Sequence, residues 1–358
     1  MMSSAPKPIA LDLFCGSGAV SFGLNKAGFN VVGAVDFDAL ACKTYSANHP
    51  SVRLLQQDIR KVTPEQFSDL IPNGLDLLVV CAPCQPFSNQ NRTKNAQDSR
   101  RNLVFESKKF INYFKPSVVF LENVPGLAST GIFLDYKNWL SKSGYVVMKP
   151  TKVNAATLGV PQRRMRMVLI ATKKGLKDFS LNIETQSKIT VSQAIGELPV
   201  PPIGVSSDLK DPLHFARRHS TLNIQRLEQI PKNGGGRESL PDYLQLNCHK
   251  KSKGSSFSDT YGRMRWDDVA PTLTTGCTDI TKGRFAHPEQ NRSITLREAA
   301  RLQSFPDEYI FHGNSAQIAT QIGNAVPPEM MHQIGLAIYE YLYPKKAASI
   351  LEKTERSE

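Results

Sequence analysis

Long apolar runs are missing from this chain of 358 residues. No stretch holds the roughly eighteen consecutive apolar residues that a membrane-crossing helix needs, and Met1 to Phe14 lacks the cationic start, apolar middle and small-residue cleavage site of a secretory signal. Cysteine is scarce: six residues, at positions 15, 42, 81, 84, 248 and 277, are too sparse for a disulfide scaffold. A cytoplasmic protein with reduced thiols is expected. No amphipathic basic helix stands out, which turns the positive charge of the chain away from membrane surfaces. No internal repeat is present.

What is there points to a globular protein with a polyanionic partner. Hydrophobic residues make up 40% and charged residues 21%, while 44 Lys and Arg face 32 Asp and Glu for a formal charge of +12. Such an excess favours nucleic acid, because Lys and Arg that neutralise phosphates release condensed counterions. The length allows one large domain and a smaller one. Over the first 170 or so residues, short apolar runs such as Pro8 to Phe14, Leu75 to Val80, Ser117 to Val124 and Arg166 to Thr172 alternate with helix-like stretches. Strands buried on both faces and joined by helical crossovers predict a doubly wound, Rossmann-like α/β sheet. From about Lys173 the texture changes to Pro, Gly, Ser and basic residues, and periodicity resumes at Ile294 and again behind Pro327-Pro328.

The first strand runs into Asp12-Leu13-Phe14-Cys15-Gly16-Ser17-Gly18, a glycine turn opening a helix at the carboxyl edge of a sheet, where open α/β sheets bind nucleotides. It is not the dinucleotide pattern, whose third glycine would fall at Ser21. Asp36, after the second strand, suits the hydroxyls of a ribose, and Asp58, after the third, suits an adenine amino group. Taken singly, each aspartate reads better as a helix N-cap. Three after three successive strands favour a cofactor site.

The fourth strand ends in Cys81-Ala82-Pro83-Cys84. A C-x-x-C pattern admits a redox dithiol or half of a zinc site, yet no second pair of Cys or His completes a metal site, and none is expected. Cys81, next to the apolar strand, reads as an inert buried thiol. Glu122 follows the fifth strand and brings a carboxylate to the same edge as Cys84. Alternation sets Arg164 and Arg166 on one face of the strand that follows, suited to an anionic reacting centre.

In their order these segments resemble the DNA cytosine-5 methyltransferase family. The cofactor turn, Pro83-Cys84-Gln85, Glu122-Asn123-Val124, the run from Gln162 to Arg166, the helix from Leu296 to Gln303 and the segment Gln321 to Pro328 are similar to six of its motifs. Ala19, where a further glycine is frequent, and Asp36, where glutamate is usual, depart mildly. The resemblance implies S-adenosylmethionine as cofactor, held by Phe14, Cys15, Gly16, Ser17, Gly18, Asp36, Phe37, Asp58, Ile59, Pro83, Asn324, Ala325 and Val326. It implies a catalytic domain over 1–177, an irregular target-recognition domain over 178–290, a segment over 291–345 returning to the catalytic domain, and a tail over 346–358.

The chemistry it implies is covalent: the Cys84 thiolate adds to C6 of a flipped-out cytosine, Glu122 stabilises the activated ring, Arg166 contacts the base O2, and Arg164 orients Glu122 or nearby backbone. The polar stretch Ser88 to Arg101 reads as a solvated loop suited to be a lid. Gln85, Ser88, Gln90, Arg92 and Arg100, with Arg263, Arg265 and Thr274 of the recognition domain, are the expected contacts to duplex DNA. A bacterial or phage modification enzyme, acting as a monomer with a companion restriction endonuclease, is the implied setting. A tRNA-directed relative is the main alternative, but its branch carries a Cys-Phe-Thr triplet absent from this sequence. A catalytically silent DNA-binding relative would not need Cys84, Glu122 and the arginine pair.

Overall fold

The computed structural model describes residues 7–83, 99–181, 183–204, 210–247 and 259–344, with backbone alone for residues 99–101. These residues divide into two compact bodies. The first takes in residues up to Asn154, then Met165–Thr185 and the chain from Val326 onward. Its frame is an eight-stranded sheet in the order β3-β2-β1-β4-β5-β8-β6, with β7 also paired to β8. The chain runs from β1 (Ile9–Leu13) through α1 (Ala19–Lys26) to β2 (Asn30–Asp36), and through α2 (Ala39–Asn48) to β3 (Arg53–Gln56). It then crosses back beyond β1 to lay down β4 (Leu77–Val80) and, through α3 (Ser107–Phe114), β5 (Val118–Asn123). These five strands are parallel. After α4 (Gly131–Lys142), the strands β6 (Tyr145–Val147), β7 (Thr151–Asn154) and β8 (Met165–Lys173) complete the sheet, β8 running antiparallel to β5, β6 and β7.

The doubly wound sheet follows from the apolar runs. Every residue of β4 and β5 is buried, as strands covered on both faces require. Leu11, Leu13, Leu78, Val80, Val119 and Leu121 join Phe67, Phe110 and Tyr136 in one core. The short strands β6 and β7 went unforeseen, because three or four residues with exposed members carry too little pattern to declare a strand.

The second body comprises Ala155–Arg164 and Gln186–Ala325. It is mostly irregular, with short helices at Val191–Ile195, Thr221–Gln229, Leu296–Leu302 and Ser315–Asn324, and one of its cores gathers Leu227, Ile230, Leu240, Leu244, Tyr261, Ile280 and Ala286. Within the segment 291–345, expected as a hinge and helices returning to the catalytic domain, Leu296–Leu302 and Ser315–Asn324 group with the second body, and the chain rejoins the first at Val326. Polar contacts explain the grouping. Gln162 donates to the Leu302 carbonyl (3.3 Å) and bonds the side chain of Gln303, and Glu298 is salt-bridged to Arg292 at 2.7 Å.

Back in the first body, helix Pro328–Leu342 lies against α1 so closely that a Cβ on Gly23 would stand 2.4 Å from the Pro328 carbonyl oxygen. Among the described residues no helix is long and apolar enough to cross a membrane. Because the obstacle at Gly23 is backbone rather than a movable side chain, Gly23→Ala is expected to destabilise the protein by about 1–3 kcal/mol, read as a lowered midpoint in urea unfolding.

Candidate active site

The strand order reverses between β1 and β4: from β1 the chain winds one way through β2 and β3, then returns to wind the other way through β4 and β5. At such a reversal the turns leaving neighbouring strands diverge and open a crevice at the carboxyl edge. The glycine turn after β1 and the segment Cys81-Ala82-Pro83 after β4 flank that point. Cys84, Gln85, Ser88, Gln90 and Arg92 lie outside the described residues, and Arg100 is described by backbone alone, within the 3-10 turn Ser99–Glu106.

The glycine turn depends on left-handed backbone. Phe14 sits at φ 63°, Gly16 at 53° and Gly18 at 96°, the last serving as N-cap of α1. A left-handed aromatic residue costs roughly 1–2 kcal/mol, and such strain concentrates at functional sites. The Gly16 amide donates to Asp36 Oδ2 at 2.8 Å, joining the ends of β1 and β2, while Asp36 Oδ1 accepts from the Asp38 amide at 3.0 Å. Burial raises the Asp36 carboxyl, and these two amides partly offset it. Cys15 and Ser17 are buried within the turn, whereas the Phe37 ring is 71% exposed beside Asp36. Asp58 caps the 3-10 turn Ile59–Lys61 and accepts from the Arg60 side chain and amide, which hold its carboxyl down to about 2. Ile59 is buried in the core, and its carbonyl is held by Lys109 Nζ at 2.6 Å.

Under the turn, Asp12 is fully buried. Its Oδ2 accepts from Ser21 Oγ at 2.7 Å and its Oδ1 has no hydrogen-bond partner among the described residues. Burial pushes this carboxyl up to about 7, against the lowering effect of the Ser21 bond.

At the β5 end, Glu122 and Arg166 meet. Arg166 Nε lies 2.8 Å from Glu122 Oε1, both side chains being nearly buried, and the approach is off the N–H axis, so it acts as a charge contact rather than a directed bond. Glu122 pairs with Val168 across the β5–β8 ladder, which leaves Arg166 on the diagonal, within reach of a long side chain. Arg166, expected from sequence at the base O2, is thus the charge partner of Glu122. Arg164 precedes β8 and belongs to the second body, where it donates to the carbonyls of Leu273 (3.0 Å) and Gly323 (2.9 Å). Asn123, quoted only as part of a motif, donates through Nδ2 to the Ala82 carbonyl at 3.0 Å and so ties β5 to the segment two residues before Cys84.

In the second body, Arg263 is also corrected. It is 1% exposed and its five N–H groups are taken by the carbonyls of Leu227, Ile230, His287 and Gln290 and by Asn291 Oδ1, so it holds irregular segments together and cannot read DNA. Irregular backbone leaves carbonyls without ladder partners, and a buried guanidinium is the side chain with the most donors to satisfy them. Arg265, two residues on, is exposed, with its stem over Gly234; Thr274 is half-buried and its hydroxyl accepts from the Gly276 amide at 3.4 Å. Asn324 is exposed at the end of its helix, the Ala325 carbonyl is held by Gln303, and Val326 is buried.

The three thiols at Cys15, Cys42 and Cys277 are buried and raised by burial, those of Cys42 and Cys277 to about 12, so they stay protonated. Two outcomes follow. Between its unfolded value near 3.8 and its folded value near 7, Asp12 binds its proton more tightly in the folded state, so its contribution to stability is full below the first and is lost as pH rises through the second. Asp12→Asn cannot ionise, and its melting temperature relative to the native chain should be higher near pH 8 than near pH 5. Arg263→Met should lose about 3 kcal/mol or more in denaturant unfolding by stranding buried carbonyls, whereas Arg265→Ala should stay within about 0.5 kcal/mol.

Comparison with known proteins agrees with this geometry. Residues 10–340 match the family model of the C-5 cytosine-specific DNA methylases. The Type II methylase M.HgiDII of Herpetosiphon aurantiacus is 36% identical over 342 residues, covering 93% of this chain and 95% of that protein. The Type II methyltransferase M.PspPI of Psychrobacter is 34% identical over 348 residues, covering 93% of this chain and 79% of that protein. Among solved structures, one described as a prophage-encoded DNA modification methyltransferase of E. coli matches with a TM-score of 0.70 at 28% identity, over 94% of this chain and 99% of that one. A match over nearly the whole chain, with Glu122, Arg166 and the glycine turn gathered at one sheet edge, places this protein in the C-5 cytosine-specific DNA methylase family.

Proposed function

We propose that this DNA cytosine-5 methyltransferase takes the methyl group from S-adenosylmethionine and delivers it to a cytosine turned out of a specific duplex sequence, through a transient bond between Cys84 and C6 of the base. The observation that carries this reading is the convergence at the strand reversal: the β4 exit, held by Asn123, lies one strand from the Glu122–Arg166 pair. The Gly16–Gly18 turn fits an S-adenosyl group. Among the described residues, chain neighbours aside, no atom lies within 4 Å of where a Gly16 Cβ would stand, so the turn leaves space for a ligand beside the Asp36 and Asp58 carboxylates and the Phe37 ring, which suit a nucleoside. When bound there, S-adenosylmethionine supplies an electrophilic methyl group.

Cytosine C5 is too weak a nucleophile to accept that group unaided. The Cys84 thiolate adds to C6, forming the C6–S bond and pushing ring electrons toward N3, where a proton shared between Glu122 and N3 stabilises the negative charge. Arg166 orients Glu122 and balances its charge once it is a carboxylate. C5 is now enamine-like and takes the methyl group. Loss of the C5 proton to water, with the C6–S electron pair leaving on sulfur, restores the aromatic ring and frees Cys84 as thiolate, and the N3 proton returns to the Glu122 side. Removing a base from the stack costs a few kcal/mol, which contacts to the strand must offset. Gln85, Ser88, Gln90, Arg92, Arg100, Arg265 and Thr274 are the side chains proposed for those contacts. The Type II relatives support a role in DNA modification. The setting proposed with it is a monomer in the cytoplasm that shields DNA from a companion endonuclease.

The test is covalent capture. Incubated with labelled S-adenosylmethionine and a duplex carrying 5-fluorocytosine in its target sequence, the enzyme should form a denaturant-resistant adduct, because fluorine blocks the final loss from C5. Cys84→Ser should form none. Label transferred to tRNA alone, or an adduct with Cys84→Ser, would overturn the proposal.

A further inference from the structure

Helix α2 buries a polar face. Residues 42 and 45 of the helix and its C-cap residue, His49, follow helical spacing, and each inward group reaches a different part of the glycine turn or its neighbours. Cys42 Sγ donates to the Asp36 carbonyl at 3.5 Å. The Tyr45 hydroxyl lies 2.8 Å from Ser21 Oγ, in the first turn of α1. His49 Nε2 lies 2.9 Å from the carbonyl oxygen of Gly18, the left-handed N-cap of that helix. Tyr45 is 0% exposed and His49 4%.

The hydrogens can be assigned. A carbonyl only accepts, so His49 Nε2 carries the proton, consistent with a ring kept neutral by burial, its pKa lowered to about 4. The Ser21 hydroxyl gives its hydrogen to Asp12 Oδ2, so Tyr45 donates to Ser21, in a chain Tyr45 to Ser21 to Asp12. The Gly18 carbonyl then has both lone pairs used, one by the Phe22 amide at 2.9 Å and one by His49. Together with the Gly16 amide on Asp36, three positions along the turn are tied to the β2–α2 unit.

Stability alone does not account for such a face, since a buried polar group gains little net energy over a well-packed apolar one of its size and costs much when unsatisfied. What a satisfied network adds is a single geometry. We propose that Tyr45 and His49 are positioning residues for S-adenosylmethionine: without touching it, they set the Gly16–Gly18 amides and the start of α1 at one spacing from Asp36. This inference rests on the cofactor proposed above. Its consequence is a role confined to cofactor affinity, leaving Cys84, Glu122 and the second body unaffected.

The test compares His49→Leu, which removes the donor, with His49→Gln, whose amide can put an N–H near Nε2, and with Tyr45→Phe, which removes one oxygen and keeps the ring. Titration calorimetry of the full-length chain with S-adenosylmethionine should show a dissociation constant about tenfold weaker for His49→Leu and about fivefold weaker for Tyr45→Phe, each the scale of one lost hydrogen bond. His49→Gln should recover to within about threefold of the native chain. Duplex DNA affinity without cofactor and kcat at saturating cofactor should stay within about twofold. Native cofactor affinity in both His49→Leu and Tyr45→Phe, or a matching loss of DNA affinity, overturns the positioning role. If His49→Leu does not fold, Tyr45→Phe decides. Failure of the native chain itself to bind S-adenosylmethionine would instead overturn the cofactor reading, so the two failures are distinct.

Discussion

Strands β1, β4 and β5 are paired on both sides, and their side chains are buried almost throughout. Polar groups in that position are costly, because each forgoes water and must find a partner in the protein, as the raised carboxyl of Asp12 in β1 shows. Polar chemistry is therefore displaced to the strand ends, and in a parallel sheet all the carboxyl ends face one way. The glycine turn, the Asp36 carboxylate, the segment leading to Cys84, and Glu122 share an edge for this reason. Arg166 reaches it from the other direction, since β8 is antiparallel and begins where β5 ends.

The same constraint explains why backbone ties are so numerous around the site. A turn with left-handed residues at Phe14, Gly16 and Gly18 would sample many shapes in isolation. Here it is held through Gly16 to Asp36, through Gly18 to His49, and through Ser21 to Asp12 and Tyr45. The β4 exit is likewise held by Asn123. Neighbouring strand ends thus brace one another, and the burial of β1, β4 and β5 fixes the frame in which they do so.

In the second body, where no extensive ladder satisfies the backbone, side chains replace it. Arg263 gathers four carbonyls, Arg164 two, and Gln162 joins Leu273 to the helix Leu296–Leu302. Arginines in a basic, irregular domain look like nucleic-acid contacts when read one residue at a time. Arg265 is exposed and keeps that reading, while Arg263, two positions earlier, is spent on cohesion. Sequence carries no sign of the difference, since it depends on which carbonyls the loops leave unpaired.

The sequence by itself determined the apolar runs, hence the doubly wound sheet, and the order of the chemical groups after successive strands: the glycine turn, Asp36, Asp58, Cys84, Glu122. Local pattern suffices there, because burial on both faces demands continuous apolar residues and strand ends are marked by the polar residues that follow. Tertiary structure alone decided the rest. It brought Arg166 to Glu122, because that approach is set by ladder register and by the point at which β8 begins. It grouped Leu296–Leu302 and Ser315–Asn324 with the second body, and it turned the inner face of α2, a helix without an evident apolar stripe, into a brace for the glycine turn. Such choices rest on distances between residues far apart in the chain, and no local spacing encodes them.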